Sequence, residues 1–254
     1  MTEFEKLSTK ITMINLLKKY VPTPIKDRIY RNFLLPKWKG NHRIFCISFQ
    51  RTGTTSFGDF FEYFGYPRAS SLVSKKNSWS KLLYEKSEDE IFNSKDFKRF
   101  QVFEDNPWWT PGFFKTLYQR FPTAKFILIE RNSKDWFASM VKHSGGKTLG
   151  NTRRHAQIYN REDEFNERLK NDPEFKPTDN DIDNLLELKG MDKHYIQVYE
   201  NHIKSVKKFF KETSPNSLLV VDLEDPDKWY KIGEFVGIEV PKDFDIHSNK
   251  SIQR

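Results

Sequence analysis

The sequence RIFCISFQRTGTTSF, residues 43–57, decides the fold class. Its apolar run over residues 44–47 is typical of a buried strand, and helical apolar spacing continues from Thr54 to Phe61. A helix that begins directly after a strand directs free N–H groups and the positive end of its dipole at one point, where a phosphate binds. The stretch therefore predicts a phosphate-binding strand-loop-helix. The residues predicted to surround the anion are Arg51, Thr52, Gly53, Thr54 and Thr55.

Two other interpretations of this loop are less well supported. The pattern G-x-x-x-x-G-K-[ST] of ATP- and GTP-binding loops is absent, which argues against ordinary use of these nucleotides. Cys46 and Arg51 suggest a phosphatase with a cysteine nucleophile, but the residues between them are too few to wrap a loop around a phosphate. Because Cys46 also falls inside the apolar run, we expect it to be a small core residue.

Composition restricts the class of protein. The 254 residues suffice for one domain with a sizeable core, and 23 Phe predict that this core is rich in aromatic rings. The net charge of +8 favours an anionic partner. A single Cys excludes an internal disulfide and a cysteine-based zinc site. No apolar run has the length of a membrane span, and Glu3 and Glu5 stand where a secretory signal is basic, so the expected location is cytoplasmic.

Apolar runs alternate with helical patterns along the rest of the chain. Three further strands are expected, at residues 100–105, 124–130 and 218–221. Helices are expected near residues 79–84, 111–121, 133–143, 193–210 and 229–236. This alternation indicates an α/β fold, a three-layer sandwich with a central, mostly parallel sheet.

The expected α/β domain covers residues 43–254, and residues 1–42 form an N-terminal helical arm. An apolar stripe in the arm runs through Leu7, Ile11, Ile14 and Leu17 among lysines. We expect the stripe to pack on the domain. The alternative is peripheral contact with an anionic membrane surface. Within the domain, residues 147–192 carry many charges and read as a substrate-facing insertion or a loosely packed helical pair.

A second anion site is expected where the strand at 124–130 ends. Ligands of parallel sheets bind beyond the carboxyl ends of the strands, and Arg131 stands at such an end. Ser139 follows eight residues later, about two helical turns into the next segment. An arginine fork and a serine hydroxyl can converge there on one phosphate.

Taken together, the two sites resemble those of the sulfotransferases that use 3′-phosphoadenosine 5′-phosphosulfate (PAPS). That family has P-[KR]-[ST]-G-T-T after its first strand, and this chain has Q-R-T-G-T-T at residues 50–55. The family's second element, R-[DN]-P-x-[DE]-W-x-x-S, corresponds to R-N-S-K-D-W-F-A-S at residues 131–139. Residues 121–128 and 219–237 are similar to the family's lead-in to the second element and to its last strand and helix.

The resemblance implies PAPS as donor co-substrate, the bisphosphate PAP as product, and no metal. It assigns Arg51 to the leaving phosphate and Arg131 with Ser139 to the 3′-phosphate. Ser56 stands at the nucleotide, where the family often has an adenine-stacking aromatic residue, so another group must hold the adenine. Lys250, with Lys242 and Arg254, is expected to help bind the 3′-phosphate. Gln50 and Ser133 replace prolines of the family's pattern.

The base that accepts the acceptor's proton is expected at the end of the second predicted strand. Related carbohydrate sulfotransferases have a glutamate three residues before a proline, which matches Glu104, and another branch has Asp-x-Pro, which matches Asp105. Because neighbours on a strand point to opposite faces, one of the two is the base and the other forms a salt bridge or a helix cap. Asp105 is preferred, and His143 is the next candidate.

The function predicted on this basis is sulfuryl transfer from PAPS to a hydroxyl of a carbohydrate or small hydroxylated acceptor. One alternative is a nucleotide kinase or other phosphotransferase, which would need a metal-binding carboxylate and the missing Gly-Lys-Ser/Thr. The other is a non-catalytic nucleotide-binding module. No nucleic-acid partner is expected, because the basic residues are dispersed among 35 acidic ones.

Overall fold

A five-stranded, entirely parallel sheet forms the centre of the computed structural model, which describes residues 35–148, 151–175 and 186–247. The strands are β1 (Ile44–Cys46), β2 (Arg68–Ala69), β3 (Val102–Phe103), β4 (Lys125–Glu130) and β5 (Leu218–Asp222). Their order is β2-β3-β1-β4-β5, with β1 paired to both β3 and β4. This confirms the predicted α/β class with a parallel sheet.

Eleven α-helices of the described residues connect and cover the strands. They are α1 (Thr54–Tyr63), α2 (Ser71–Lys76), α3 (Trp79–Tyr84), α4 (Glu88–Asn93), α5 (Lys95–Arg99), α6 (Phe113–Arg120), α7 (Ser133–Ser144), α8 (Thr152–Ile158), α9 (Glu162–Asn171), α10 (Asp192–Thr213) and α11 (Lys228–Val236). A 3-10 turn, Pro215–Ser217, precedes β5. Among these helices, none combines the length and apolarity required to cross a membrane.

Aromatic rings fill the core on both faces of the sheet, as the Phe content predicts. Phe45 of β1 is fully buried and stacks between Phe103 and Phe126 of the neighbouring strands, with ring centroids 5.0 and 5.6 Å away. Trp108 packs against the same group at 5.6 Å from Phe45. On the other face Phe60 of α1 stacks on Trp229 of α11 at 5.2 Å. β1 is buried along its whole length, so the loop that leaves it starts from a rigid strand.

The segment from 67 to 100 differs from the sequence prediction of one helix near 79–84. It contains the edge strand β2 and four short helices, α2 to α5. β2 has only two residues, too few for a recognisable strand pattern. Its extended conformation is stabilised by parallel pairing with β3 and not by local propensity. Each helix begins after a serine, and only Ser94 accepts a capping hydrogen bond from within its helix, from Phe97 N–H.

The charged segment 147–192 contains a helical pair in its described part. α8 and α9 enclose a small cluster of buried residues, Ala156, Phe165, Phe175 and Leu186. Lys147 forms an antiparallel bridge with Glu187, which closes the base of the segment. The pair is therefore packed around its own apolar cluster. Residues 149–150 and 176–185 lie outside the described residues, as do the arm at 1–34 and the tail from 248.

Candidate active site

The predicted anion-binding residues meet at one edge of the sheet. β1, β3 and β4 are neighbours, with Phe45 in register with both Phe103 and Phe126. Because all strands run in the same direction, the segments that follow them emerge side by side. The loop before α1, the segment at Asp105 and the start of α7 at Arg131 consequently share the carboxyl edge of the sheet.

The loop between β1 and α1 is held in an unusual backbone conformation. Arg51 and Gly53 both have positive φ angles, 70° and 85°. A Cβ on Gly53 would stand 2.7 Å from Leu223 Cδ1, so a larger residue would have to displace this side-chain end and also adopt the positive φ that glycine tolerates best. Thr52 is fully buried, and its hydroxyl donates to the Phe49 carbonyl at 2.7 Å, which closes the turn. A non-glycine residue with positive φ is a strained feature that occurs often at functional sites.

The amino end of α1 has no charge or side chain of its own to offset its dipole. Gly53 is the N-cap residue and contributes no capping hydrogen bond, and the first turn contains no acidic residue. Thr54 is buried, whereas Thr55 and Ser56 are partly exposed. Such a helix end favours an external anion.

Arg51 and Arg131 belong to the two predicted anion sites, and each donates a hydrogen bond to a residue of the other site. Arg51 Nε donates to the Ser139 hydroxyl at 3.2 Å, and Arg131 Nη1 donates to the Arg51 carbonyl at 3.1 Å. The eight-residue spacing between Arg131 and Ser139 thus places the serine beside the loop arginine. Asn132 caps α7 by accepting from the N–H groups of Lys134 and Asp135, which fixes the start of the helix.

The two guanidinium groups concentrate positive charge at this edge. In the described part of the chain neither group has a carboxylate within salt-bridge distance. Burial, together with the charge of Arg131, lowers the pKa of Arg51. The Nε atom of Arg131 is buried and has no hydrogen-bond partner among the described residues. A bound anion would relieve this repulsion and accept from Arg131 Nε.

Long-range hydrogen bonds that sequence reasoning did not identify hold these groups in place. The Tyr199 hydroxyl accepts from Arg131 N–H at 2.9 Å and donates to the Arg131 carbonyl at 3.1 Å. Trp136 Nε1 donates to the Gln50 carbonyl at 2.9 Å, and its ring stacks on Tyr199 with centroids 4.4 Å apart. The partners lie 63 to 86 residues apart in sequence, so no local pattern reveals them.

Two further side-chain hydrogen bonds hold the segment between β1 and α1 in place. His202 Nε2 donates to the Ile47 carbonyl at 2.8 Å, and burial lowers the pKa of this histidine to about 4, which keeps it neutral. Gln50, at the position where the family's motif has proline, donates from its side-chain amide to the Tyr159 hydroxyl at 2.7 Å. The loop therefore has a side-chain tether to the segment after α8.

Glu104 and Asp105 face different surroundings. Glu104 is 2% exposed and accepts from Arg68 Nη2 at 3.0 Å; Arg68 also pairs with Asp59 and Glu62 of α1. Burial raises the pKa of Glu104 to about 7 against the opposing effect of Arg68. This carboxylate ties β2 and α1 to β3, which is the salt-bridge role expected for whichever of the two acids is not the base.

Asp105 is partly buried and has a positive φ of 65°, like Arg51. Its Oδ1 accepts from Trp109 Nε1 at 3.3 Å. Burial raises its pKa, and the hydrogen bonds from Trp109 and from the Asn106 backbone only partly oppose this. No basic side chain of the described residues forms a salt bridge with it. An unpaired carboxylate with a raised pKa is suited to accept a proton.

The other residues that the sequence brought into consideration differ in position and exposure. His143 lies on α7 one turn after Ser139, is exposed, and has a pKa lowered by burial and by the charge of Arg51, so it is near the same site. Cys46 is fully buried with a pKa raised to about 12, as expected of a core residue. Trp108 and Trp109 are core residues. Lys242 is exposed, whereas Lys250 and Arg254 lie outside the described residues.

No cluster of three or more histidine, cysteine or acidic side chains suited to a metal ion occurs among the residues at 35–148, 151–175 and 186–247. The groups gathered at the sheet edge are instead hydrogen-bond donors and cations. They fit an anion with more than one phosphate or sulfate group, because Arg51 and the α1 N-terminus approach the edge after β1, and Arg131 approaches it after β4.

Comparison with known proteins identifies a family and similar solved structures. The sequence profile described as "Sulfotransferase domain" matches residues 43–251. A crystal structure of a sulfotransferase from Alicyclobacillus acidocaldarius is similar at 14% identity and a TM-score of 0.46, over 85% of this chain and 87% of that one. No curated protein sequence matches the chain.

Proposed function

The chain belongs to the sulfotransferase domain family, and we propose that it moves a sulfuryl group from PAPS to a hydroxyl of a carbohydrate or small hydroxylated acceptor. The observation that carries this proposal is the pair of guanidinium groups at the sheet edge. Arg51 and Arg131 come from two strand ends, lack carboxylate partners within the described residues and are linked by the bond to the Arg51 carbonyl. PAPS carries anionic groups at two separate positions, which suits two separate cationic sites.

In this proposal Arg51 and the start of α1 bind the phosphosulfate, while Arg131 and Ser139 bind the 3′-phosphate. Arg131 Nε, buried without a described partner, supplies the free donor for the second anion. Arg51 stabilises the negative charge that develops on the leaving phosphate, helped by the N–H groups and hydroxyls of Thr54 and Thr55. Ser56 lies in the same first turn of α1 and borders the nucleotide.

The reaction forms and breaks one bond at sulfur and transfers one proton. The acceptor oxygen forms a bond to sulfur while the bond between sulfur and the phosphate oxygen breaks. The electron pair of the broken bond stays on the phosphate oxygen, which leaves as part of PAP. The proton of the acceptor hydroxyl passes to Asp105. Positioning and electrostatic stabilisation carry most of the catalysis in such group transfers, as they do for phosphoryl groups.

Asp105 is proposed as the base because its carboxylate is free of any ion pair in the described structure, whereas Glu104 is committed to Arg68. Its pKa is raised, which makes the carboxylate a better proton acceptor than an ordinary exposed one. His143, near Arg51, is the reserve candidate.

The location and the partners other than the nucleotide are also proposals. The protein is proposed to work in the cytoplasm, and its arm at residues 1–42 either packs on the domain or touches an anionic membrane surface. Lys250 is proposed to reach the 3′-phosphate. A nucleotide kinase is the second candidate function, and it would use ATP with magnesium in place of PAPS.

The proposed function is tested by incubating the protein with PAPS labelled on the sulfur and a panel of acceptors from sugars, phenols and aliphatic alcohols. We expect label to appear on a hydroxylated acceptor, and Arg51→Ala to lower the rate by roughly two or more orders of magnitude. The matched control is Arg120→Ala, at an exposed arginine of α6 paired with Asp89. Full activity of Arg51→Ala would contradict the assignment of this loop.

A further inference from the structure

A cavity of about 340 Å³ lies beside the loop that follows β3. Its walls come from α3 and the nearby Lys86, from the loop between Asn106 and Pro111, and from α8 with Asn160 after it. The volume is within the range of small-molecule sites, about 300 to 1,000 Å³. Asn106 directly follows Asp105, the proposed base, so an occupant of this cavity lies next to the segment that would take its proton.

Three side-chain amides line the cavity and form no hydrogen bonds with one another. Asn106, Gln157 and Asn160 make no side-chain hydrogen bond to any residue in the described ranges. Each amide offers two donors and an acceptor. Side chains of this kind, converging on a concave surface, are suited to the hydroxyls of a polyol, which can both donate and accept. Leu83 and Ile158 add apolar surface for the carbon skeleton.

The charge of the lining is one-sided. Lys86 and Arg154 contribute to the wall, and no Asp or Glu does. Lys86, two residues beyond the end of α3, is exposed and forms no ion pair within the described part of the chain, whereas Lys81 of α3 pairs with Glu85 at 3.8 Å. A lining with basic but no acidic side chains favours a ligand that carries an anionic group beside its hydroxyls.

We infer that this cavity receives the acceptor and that the acceptor is an anionic polyol, such as a sugar that bears a carboxylate. The amides hold its hydroxyls, Lys86 holds its anionic group, and one free hydroxyl faces the segment at Asp105. This inference rests on the proposed function and narrows its acceptor from hydroxylated compounds in general to acidic ones.

The test is a binding measurement on the protein saturated with PAP. Methyl glucuronide and methyl glucoside are titrated separately by calorimetry at low salt. The glucuronide has a carboxylate where the glucoside has a hydroxymethyl group. We expect the glucuronide to bind about fivefold more tightly, the size of one solvent-exposed ion pair. Lys86→Asn should lower glucuronide affinity to that of the glucoside and leave the glucoside unchanged. Asparagine tolerates the positive φ of 58° at this position.

Two controls isolate the charge. Lys86→Arg should keep the preference for the glucuronide, and Lys81→Asn, on α3 but outside the cavity lining, should leave both affinities unchanged. Equal binding of the two glycosides by the wild type, binding of neither, or a preference that survives in Lys86→Asn would overturn the inference. These failures are distinct from failure of the proposed function, which would appear as absence of PAP binding to the wild type.

Discussion

Arg131 donates a hydrogen bond from Nη1 to the main-chain carbonyl of Arg51, at 3.1 Å across 80 residues of sequence. Arg51 in turn donates to Ser139, eight residues after Arg131. The two segments predicted to bind anions are therefore joined by hydrogen bonds, and a change in either should alter the other. This relationship underlies the first two predictions.

Replacing Arg131 with alanine should weaken PAP binding by at least about tenfold, the equivalent of about 1.4 kcal/mol for one charged hydrogen-bonding group. The variant loses both the free Nε donor and the bond that holds the Arg51 carbonyl. Titration calorimetry measures the effect, with Arg120→Ala as the matched control. Unchanged affinity for PAP in Arg131→Ala would show that the second anion site is misplaced.

Replacing Tyr199 with phenylalanine removes the hydroxyl that bonds both the N–H and the carbonyl of Arg131. We expect a loss of about 1 to 3 kcal/mol in the free energy of unfolding, because a backbone N–H is left without a partner. PAP affinity should fall by a smaller factor than in Arg131→Ala. Denaturant unfolding measures the first effect, and Tyr118→Phe, which also removes a hydroxyl at an aromatic contact, is the control.

Asp105→Asn should lower the rate of sulfuryl transfer by on the order of 100-fold or more and leave PAP affinity nearly unchanged, since a base acts on the acceptor and not on the donor. Glu104→Gln should retain most activity. The measurement is single-turnover transfer from labelled PAPS. An inactive Glu104→Gln beside an active Asp105→Asn would reverse the two roles, and activity in both variants would turn attention to His143.

The pH dependence of the free energy of unfolding should report the protonation of Glu104. Its pKa in the folded protein is raised to about 7, above the ordinary value of 4.5, so the folded state binds this proton more tightly than the unfolded state. The resulting stabilisation is present below pH 4.5 and is lost as pH rises through about 7. Unfolding free energy of the wild type should therefore decline over this window by on the order of 1 to 3 kcal/mol.

Glu104→Gln mimics the protonated acid and should lack this decline. Denaturant unfolding at pH 5 and pH 8 measures the difference between the two proteins. We expect near-equal stability at pH 5 and a variant that is relatively more stable at pH 8, because burial of the charged form costs more than Arg68 returns. A Glu104→Gln variant that becomes relatively less stable as pH rises would contradict this reasoning.

The arm yields a prediction that rests on sequence alone. Deleting residues 1–20 removes the stripe that includes Leu7, Ile11 and Ile14. If the arm is a membrane-surface helix, the deletion should leave PAP binding intact and reduce binding to anionic liposomes. Unfolding of the truncated protein would instead show that the arm packs on the domain, which is the expectation stated first.

The candidate-site segments that follow strand ends were predicted from sequence, whereas the residues that contact them from elsewhere in the chain were not. The loop at 50–55 and the element at 131–139 each carry a local pattern, and the parallel sheet brings them together as expected. Tyr199, Tyr159 and Arg68 could not be assigned, because each contacts the site region only through tertiary folding. β2 was missed for the same reason: two residues carry no period, and pairing with β3 decides their conformation.

The choice between Glu104 and Asp105 shows the same limit. Alternation along a strand predicts that neighbouring side chains point to different surroundings, but it does not say which surroundings contain Arg68. Arg68 lies 36 residues before Glu104, and their ion pair forms because β2 and β3 are adjacent. Which of the two carboxylates lacks an ion pair therefore depends on the order of the strands, which places β2 beside β3.

The central claim, that Arg51 and Arg131 together bind a nucleotide with anionic groups at two positions, is tested most directly by titrating PAP and ATP with magnesium separately into the wild-type protein. The account predicts PAP binding in the low-micromolar range, on the order of −8 kcal/mol, without a divalent metal, and much weaker binding of ATP. The Arg51→Ala/Arg131→Ala double variant should lose PAP binding. Equal or tighter binding of ATP with magnesium, together with no detectable binding of PAP, would contradict the account.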